Sequence, residues 1–590
     1  MNEEEVKEEL LKKTAAAQQE RKNLPKVRLP ASSTSKASRM IGTFAQELGK
    51  ILSNKDEIFY KPELKSAVEI RKFVVEKNPQ LIEEYLGFTE ITPQRFITLV
   101  ETYAVLYIPV KVQRKTEDDS LETYWIEVEK NMNASTSGIT IVSEQFQTEL
   151  PVIKRIFTSP IPILYEGKIT LPMQGYDSRF KSWLDPQSFT IKELPLGEAK
   201  ETINYIFREF CFEKDDKGQL TKSGQQSKTH AIAALLTPYL RGLYPKFNCR
   251  TPLFFYLGNR PRVGKDYCAA ITGLVYEGSS TEEPAISTGE RNQAGSEELR
   301  KKILSAMLQG RRRLHFSNNK GYINSAMLEG VLTANTFSDR MLGKNEIVTI
   351  ENEMEFSLSG NLGITYSPDL ANRTRFVNLF LDIEDPNKRK FDTPCLHKWI
   401  LEHRELILSS LYTLVKTWVE AGMTSGKTAY TSFPEWASVC GGIMTYHEFG
   451  DPCQPDENQL AGEGDEETSN MKKLFELLYA ELGESGFTKR DIFRRMVNGE
   501  GDEPGWQEQY SLFKWLDFSK TGDRVKFSAI WRRNIGRIYS GLRLKVVANQ
   551  GNSKADTYML QSIVPKEDIE KPVPEESDEP KIEEQEVDEN

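Results

Sequence analysis

The sequence predicts a multidomain α/β protein with a central three-layer α/β domain, a mixed α/β module before it and a winged-helix-like module after it. Three observations carry this expectation. The chain has 590 residues, too many for one hydrophobic core and enough for three or four domains of roughly 100–200 residues. Between about 250 and 445 strand-like apolar runs alternate with helical ones, the pattern of a largely parallel sheet covered by helices. From about 470 the order changes to helix, helix, helix, hairpin.

Composition sets the limits. With 38% hydrophobic and 28% charged residues and a mean hydropathy of -0.52, the chain has apolar material for several cores. No apolar run reaches the roughly 20 residues that cross a bilayer. The opening MNEEEVKEELLKK is acidic and lacks the apolar stretch of a secretory signal, so a cytoplasmic protein with no membrane partner is expected. The cysteines, at 211, 249, 268, 395, 440 and 453, form no CxxC pair and gather no histidines, which predicts free thiols rather than a zinc site or a disulfide framework. Nine of the ten net negative charges fall in 566–590, where twelve acidic residues face three lysines; the rest of the chain is nearly neutral. Such a tail cannot bury enough apolar surface to fold. It predicts a disordered, solubilising extension, or else one that binds replication proteins or mimics DNA.

Taken in order, residues 1–54 read as a mobile arm and 55–194 as the mixed α/β accessory module, with RFITLVETYAVLYIPVKV and TYWIEVEK among its segments. Asp118 and Asp119 sit in a Lys- and Glu-rich turn, and no polymerase-type carboxylate cluster is visible in the first 250 residues. Residues 195–450 hold the central domain. It has a helical lead-in, the runs TPLFFYL, RRLHF, EIVTI, EFSLSG and FVNLFL as strands, and a helical pair capped by Gly422. An acidic linker at 451–469 precedes the winged-helix-like module at 470–563, and the tail spans 564–590.

The chemistry concentrates in GNRPRVGKD, Gly258 to Asp266, directly after LFFYL and directly before the helical YCAAITGLVYEG. A phosphate cradle needs positions without side chains, so that backbone N–H groups point inward, and a helix N-terminus behind it. Gly258 and Gly264 supply the first, and Lys265 would lie on the β- and γ-phosphates. The nucleotide-binding stretch is therefore Gly258, Asn259, Arg260, Pro261, Arg262, Val263, Gly264, Lys265, Asp266 and Tyr267. Two features depart from the usual GxxxxGK[ST]. The first glycine stands one residue further out, and Asp266 occupies the magnesium-holding Ser/Thr position. The bland alternative is a tight glycine turn with a surface lysine.

The following strand, RRLHFSNNKG, is where an acidic, water-activating pair belongs; it ends in Ser317 and Asn318 instead. Either hydrolysis is lost and binding kept, or roles are exchanged: Asp266 gives Mg2+ a carboxylate, Ser317 gives a hydroxyl, and Glu290, Glu297 or Glu298 orients water. EFSLSGN ends in Asn361, placed to sense a γ-phosphate. Twelve residues on, Arg373 and Arg375 are candidate fingers toward a neighbouring subunit, or plain ion-pair formers.

The order GNRPRVGKD, LHFSNNKGYINSAMLEGVLTA, SDRMLGKNE, FSLSGN, DLANRTRFV, then WASVCGG, resembles P-loop ATPases of phages, plasmids and integrated elements, akin to superfamily-3 helicases and poxvirus-type primase-helicases. The likeness covers about 250–445. It implies an AAA+-like fold, a hexameric ring, ATP and Mg2+ as cofactors, and DNA unwinding. Lys265 becomes the phosphate lysine, Asn361 the sensor, and Arg373 or Arg375 the finger. Ser317 departs from the family's acidic position.

For DNA, the C-terminal module carries Lys520, Arg524, Lys526, Arg532, Arg533, Arg537, Arg543 and Lys545 against Asp523. A recognition helix over 526–539 would expose Arg532, Arg533 and Arg537; a solvated basic face is the plain alternative, and Trp531 and Tyr539 suit a core. In the central domain Lys320, Arg340 and Lys344 are candidate strand contacts. The leading expectation is a ring helicase or replication-initiator ATPase of a mobile element. Against it stands a hydrolysis-deficient, nucleotide-binding scaffold or DNA-binding regulator.

Overall fold

The computed structural model describes residues 21–30, 39–78, 81–115, 121–286, 293–341, 343, 345–361, 364–382, 389–393, 395–428, 431–454, 466–498, 504–536, 538–547 and 556–563. Asp118, Asp119, Glu290, Lys344, Arg537 and the tail 564–590 lie outside them. The chain divides into two compact units, 1–459 and 460–590. No described helix is long and apolar enough to cross a membrane, and the six cysteines are free thiols.

The N-terminal part of the first unit is a mixed α/β layer. A long hairpin, Ser66–Asn78 with Leu81–Glu90, is edged by Phe59–Lys61, and a second sheet orders Lys26–Arg28, Val105–Lys115 and Leu121–Glu129. Residues 41–54, expected as arm, depart from that expectation. Helix Ile41–Leu52 spaces Phe44, Leu48 and Leu52 four apart, and this stripe is fully buried against Phe96, Leu99 and Phe146.

The central part is built on a parallel sheet. Its elements are α1 (Lys222–Tyr239), β1 (Leu253–Gly258), α2 (Lys265–Glu277), α3 (Gln293–Leu308), β2 (Arg313–Asn319), α4 (Ala326–Thr333), β3 (Thr336–Arg340), β4 (Ile347–Glu351), β5 (Glu355–Asn361), α5 (Pro368–Asn372) and β6 (Thr374–Leu379). The sheet order is β2–β5–β1–β6, parallel throughout. Alternation along β1 sends Phe254 and Tyr256 into a core shared with α1 and α2, and Leu253, Phe255 and Leu257 into a second core under α3 and α4. Both faces are covered, as a parallel sheet requires.

The run EIVTI does not join this sheet. It forms β4, paired antiparallel with β3 as a separate hairpin. Val348 and Ile350 are buried while Ile347 and Thr349 face solvent, so the segment has one apolar side and cannot be a strand buried on both faces.

The second unit holds α6 (Glu466–Leu482), β7 (Phe487–Thr488), α7 (Lys489–Val497), α8 (Trp506–Gln509), α9 (Thr521–Arg533), β8 (Ile538–Tyr539), β9 (Leu542–Val547) and β10 (Thr557–Ser562), with sheet order β7–β10–β9–β8. Thr488 and Asp491 cap α7 reciprocally. The helix expected over 526–539 starts and stops earlier. Gly536 adopts φ +84°, a left-handed turn that ends helical propagation, and the chain then returns as β8 against β9. Trp531 is wholly buried among Phe475, Phe487, Phe527 and Tyr558, so it is core rather than a stacking surface. Tyr539 packs edge-on to Phe475 and its hydroxyl donates to Asn534.

Candidate functional site

β1 stops at Gly258, the loop 259–264 turns, and α2 starts at Lys265, so the amino end of α2 meets the carboxyl end of the parallel strands, where ligands of such sheets collect. The two glycines are required for different reasons. A Cβ on Gly258 would stand 2.3 Å from the Val263 side chain, which folds down over it and is buried. Gly264 has open space around it but takes φ +96° as the residue before α2. The additional loop residue is absorbed by Arg262, a non-glycine at φ +64°, and by Asn259, whose side chain exchanges hydrogen bonds with the backbone of Leu381. Asn259 thus ties the loop to the exit of β6, a structural role. Arg260 and Pro261 form the turn between.

Lys265 donates to the Asp266 carboxylate at 2.7 Å. The other carboxylate oxygen accepts from the buried Ser359 hydroxyl. Burial pushes the Asp266 carboxyl up, but the hydrogen bonds from Lys265 and Ser359, with the Lys265 charge, outweigh it and hold the group below its usual range. The hydroxyl on Asp266 is therefore not that of Ser317. β5 lies between β2 and β1, which places Ser359 beside the loop strand and Ser317 one strand further out. Ser317 is buried, and its backbone N–H donates to the Glu283 carbonyl at the sheet edge.

Ser357, Ser359 and Asn361 alternate along β5 and share one face. His315 on β2 hydrogen-bonds Ser357 at 2.8 Å. Asn361, exposed, pairs in register with Gly258, so it stands next to the loop at the open end of the sheet. The result is a polar stripe running under α2 to the loop. Strand β2 carries no acid. Glu297 and Glu298 lie exposed on α3, and Glu297 pairs with Lys301.

A cavity of about 360 Å³ opens over the loop. Its lining takes Arg262, Lys265, Asp266 and Tyr267 from the loop and α2, and Glu209, Phe210, Arg389 and Phe391 from distant parts of the chain. Tyr267 is fixed by stacking on His397, with ring centroids 3.4 Å apart, and its hydroxyl accepts the His397 backbone N–H at 2.9 Å. Glu209, Arg389 and Phe391 went unnoticed in the sequence because they lie far from the loop along the chain and belong to no motif. Ser359 carried a signal, being two residues before Asn361 on a strand whose end was already marked.

The arginines separate. Arg375 is 4% exposed, lies over Trp436 and donates to Thr431; burial lowers its pKa. A side chain enclosed in its own core cannot reach a neighbour, so Arg375 is not a finger. Arg373 follows α5 and is partly exposed. In register it precedes Thr374, opposite Leu253, at the amino end of the sheet. Roughly five residues at about 3.3 Å each separate it from Gly258, so it cannot serve its own loop.

Of the basic candidates, Lys320 is exposed just beyond β2, and Arg340 is exposed at the end of the β3–β4 hairpin, opposite Ile347, which is 78% exposed. In the second unit Arg532 is exposed on α9. Arg533 lies in the same helix, its side chain outside the described residues.

No protein-family model matches the chain, and no curated protein matches it. Among solved structures it is similar to the apo A form of the NrS-1 C-terminal region, at 13% identity over 80% of this chain and 99% of that one, with a TM-score of 0.31. It is also similar to the JCV helicase in a complex with a small molecule, at 13% identity over 43% of this chain and 67% of that one, with a TM-score of 0.20. At such scores neither neighbour fixes the fold or the role of this chain.

Proposed function

We propose that the chain binds ATP with Mg2+ in the cavity over Gly258–Tyr267 and couples it, as a ring, to work on DNA in replication of a mobile element. One observation carries the binding reading: a glycine-shaped loop joins a parallel strand to a helix N-terminus, with Lys265 inside a cavity of about 360 Å³. The polyphosphate would take Lys265 from Asp266, exchanging one anionic partner for another. Asp266, still held by Ser359, is then free to turn toward a cation.

The donors suit magnesium, being a carboxylate and a hydroxyl, all oxygen. Among the described residues no group of three or more His, Cys, Asp or Glu gathers to hold a metal, so phosphate oxygens and water would complete the sphere. Bound there, Mg2+ would neutralise charge that builds on the transferred phosphoryl group. Asn361 is placed to donate its amide to the terminal phosphate or to the attacking water. Arg373, at the far end of the sheet, could act on a neighbouring subunit's nucleotide only, which is the arrangement a ring provides.

DNA contacts follow from two exposed features. The β3–β4 hairpin presents Arg340 and Ile347 at its end, with Lys344 between them in sequence. In this reading the second unit, which runs helix, strand, three helices and three strands, serves as a winged helix, with α9 as recognition helix and Arg532 on its exposed side. Replacing Arg532 by Ala should reduce the salt slope of duplex binding by about one; an unchanged slope removes α9 from the interface.

The acid-free β2 supports the second reading, a scaffold that binds nucleotide without turnover. Measuring ATP turnover with and without single-stranded DNA in the wild type and in Lys265→Ala decides between them. DNA-stimulated turnover lost in the variant marks a motor; tight binding with no turnover marks the scaffold.

A further inference from the structure

We infer that Phe391, in the lining of the cavity over the loop, is the centre of a preformed stacking platform for the nucleobase, and that this platform takes purines with little discrimination between adenine and guanine. The inference rests on reading Gly258–Lys265 as the phosphate cradle.

Phe391 lines the cavity and is 47% exposed, so its ring is open to a ligand there. The Arg389 guanidinium lies 4.6 Å from its centroid. The segment bearing both is pinned from below. The Glu209 carboxylate accepts the backbone N–H groups of Asp392 and Thr393 at 2.9 and 3.0 Å, and the Glu209 carbonyl accepts from Arg389. The Thr393 hydroxyl is bonded to the Tyr205 hydroxyl at 2.6 Å. Holding the segment this way removes its freedom before a ligand arrives, which strengthens binding by lowering the ordering cost.

The same bonds decide what the platform can read. A site discriminates bases strongly when it aims free donors and acceptors at their edges. Here both carboxylates on the cavity are committed, Glu209 by two backbone amides and Asp266 by Ser359 and, with nucleotide bound as proposed above, by the cation. What remains in the lining is the rings of Phe391, Phe210 and Tyr267, with the Arg389 guanidinium lying over Phe391 and donating to the Glu209 carbonyl. Stacking of this kind accepts any base, because each has a π-face, and favours the larger purines.

The test is competition binding to the full chain by ATP, GTP, UTP and inorganic tripolyphosphate, repeated in Phe391→Ala, Phe391→Trp and Lys265→Ala. ATP and GTP should bind within about tenfold of each other, and both more tightly than UTP. Phe391→Ala should weaken ATP and GTP by roughly 5- to 100-fold, leave tripolyphosphate unchanged, and be rescued by Phe391→Trp. Unchanged ATP binding in Phe391→Ala overturns the platform, and so does an ATP preference over GTP above about 100-fold. Loss of tripolyphosphate together with ATP in Phe391→Ala also counts against it, as it signals a collapsed site rather than a lost stack. If Lys265→Ala binds every ligand as the wild type does, the phosphate-cradle reading fails instead.

Discussion

The two ends of the central parallel sheet handle charge in opposite ways. At the amino end Arg241, Thr251 and Glu355 close a buried triangle: Arg241 donates to Glu355 at 2.7 Å and to Thr251 at 3.0 Å, and Thr251 donates to Glu355 at 2.9 Å. Beside it Arg155 bonds Glu351 and Glu353, and Arg312 also reaches Glu353. These groups come from the accessory layer, the lead-in and the β4–β5 segment, so the network locks one part of the first unit to another. At the carboxyl end Lys265 and Asp266 satisfy each other in the lining of a cavity, with Ser359 also bonded to Asp266. Closed networks hold a fold; a pair bordering open space can change partners. Location in the sheet, rather than residue type, separates the enclosed ion pairs from the one that borders the cavity.

That contrast can be broken most forcefully from the amino end. Glu355→Ala leaves the Arg241 charge buried without its carboxylate and should cost about 3–5 kcal/mol, read as an early melting transition of the first unit. If Glu355→Ala melts with the wild type while Lys265→Ala does not, the assignment of the two ends is inverted. Lys265→Ala should leave the melting profile almost in place yet weaken ATP about 100-fold or more, since charge-assisted bonds to two phosphates are lost; calorimetric titration reads this directly.

A finer comparison sets Ser359 against Ser317. Ser359→Ala should reduce magnesium-dependent turnover about tenfold but cost only up to about 1 kcal/mol of stability, because the Asp266 side chain it unpairs is 35% exposed. Ser317→Ala, one strand out, should stay near wild type in steady-state turnover. The reverse result would restore Ser317 as the partner of Asp266.

A further effect concerns pH. His230 on α1 donates from Nδ1 to the Phe376 carbonyl on β6, and burial, then the Arg375 charge, push its pKa down to about 3. The folded state therefore binds this proton later than the unfolded chain does. Stability is fully present above the ordinary histidine value near 6.5 and is lost as pH falls from there toward 3, by about 1.4 kcal/mol per unit. His230→Gln should flatten that slope in acid denaturation; an unchanged slope would assign it to other groups. Asp266, also depressed, adds in the same direction only at the acid end of this range.

Much of the fold was legible because its signals are local. The strand, glycine loop and helix around Gly258–Tyr267 read directly from a switch in hydrophobic period, and the strands containing His315, Leu358 and Val377 follow the same rule. Misreadings came where local pattern and tertiary pairing diverge. EIVTI looks like a sheet strand, but its one-sided apolar face sends it to a hairpin. Residues 41–54 sit among polar sequence, yet Phe44, Leu48 and Leu52 find a core to cover.

By itself the sequence determined where a glycine-framed loop would meet a helix start, because spacing along the chain fixes backbone conformation and the residues that frame it. Only the tertiary structure decided which side chains meet there. Sheet order brought Ser359 rather than Ser317 to Asp266, burial removed Arg375 from any outward role, and a segment more than 120 residues from the loop supplied Phe391 to its cavity. Strand order and burial are settled by packing across long chain separations, which no local pattern encodes.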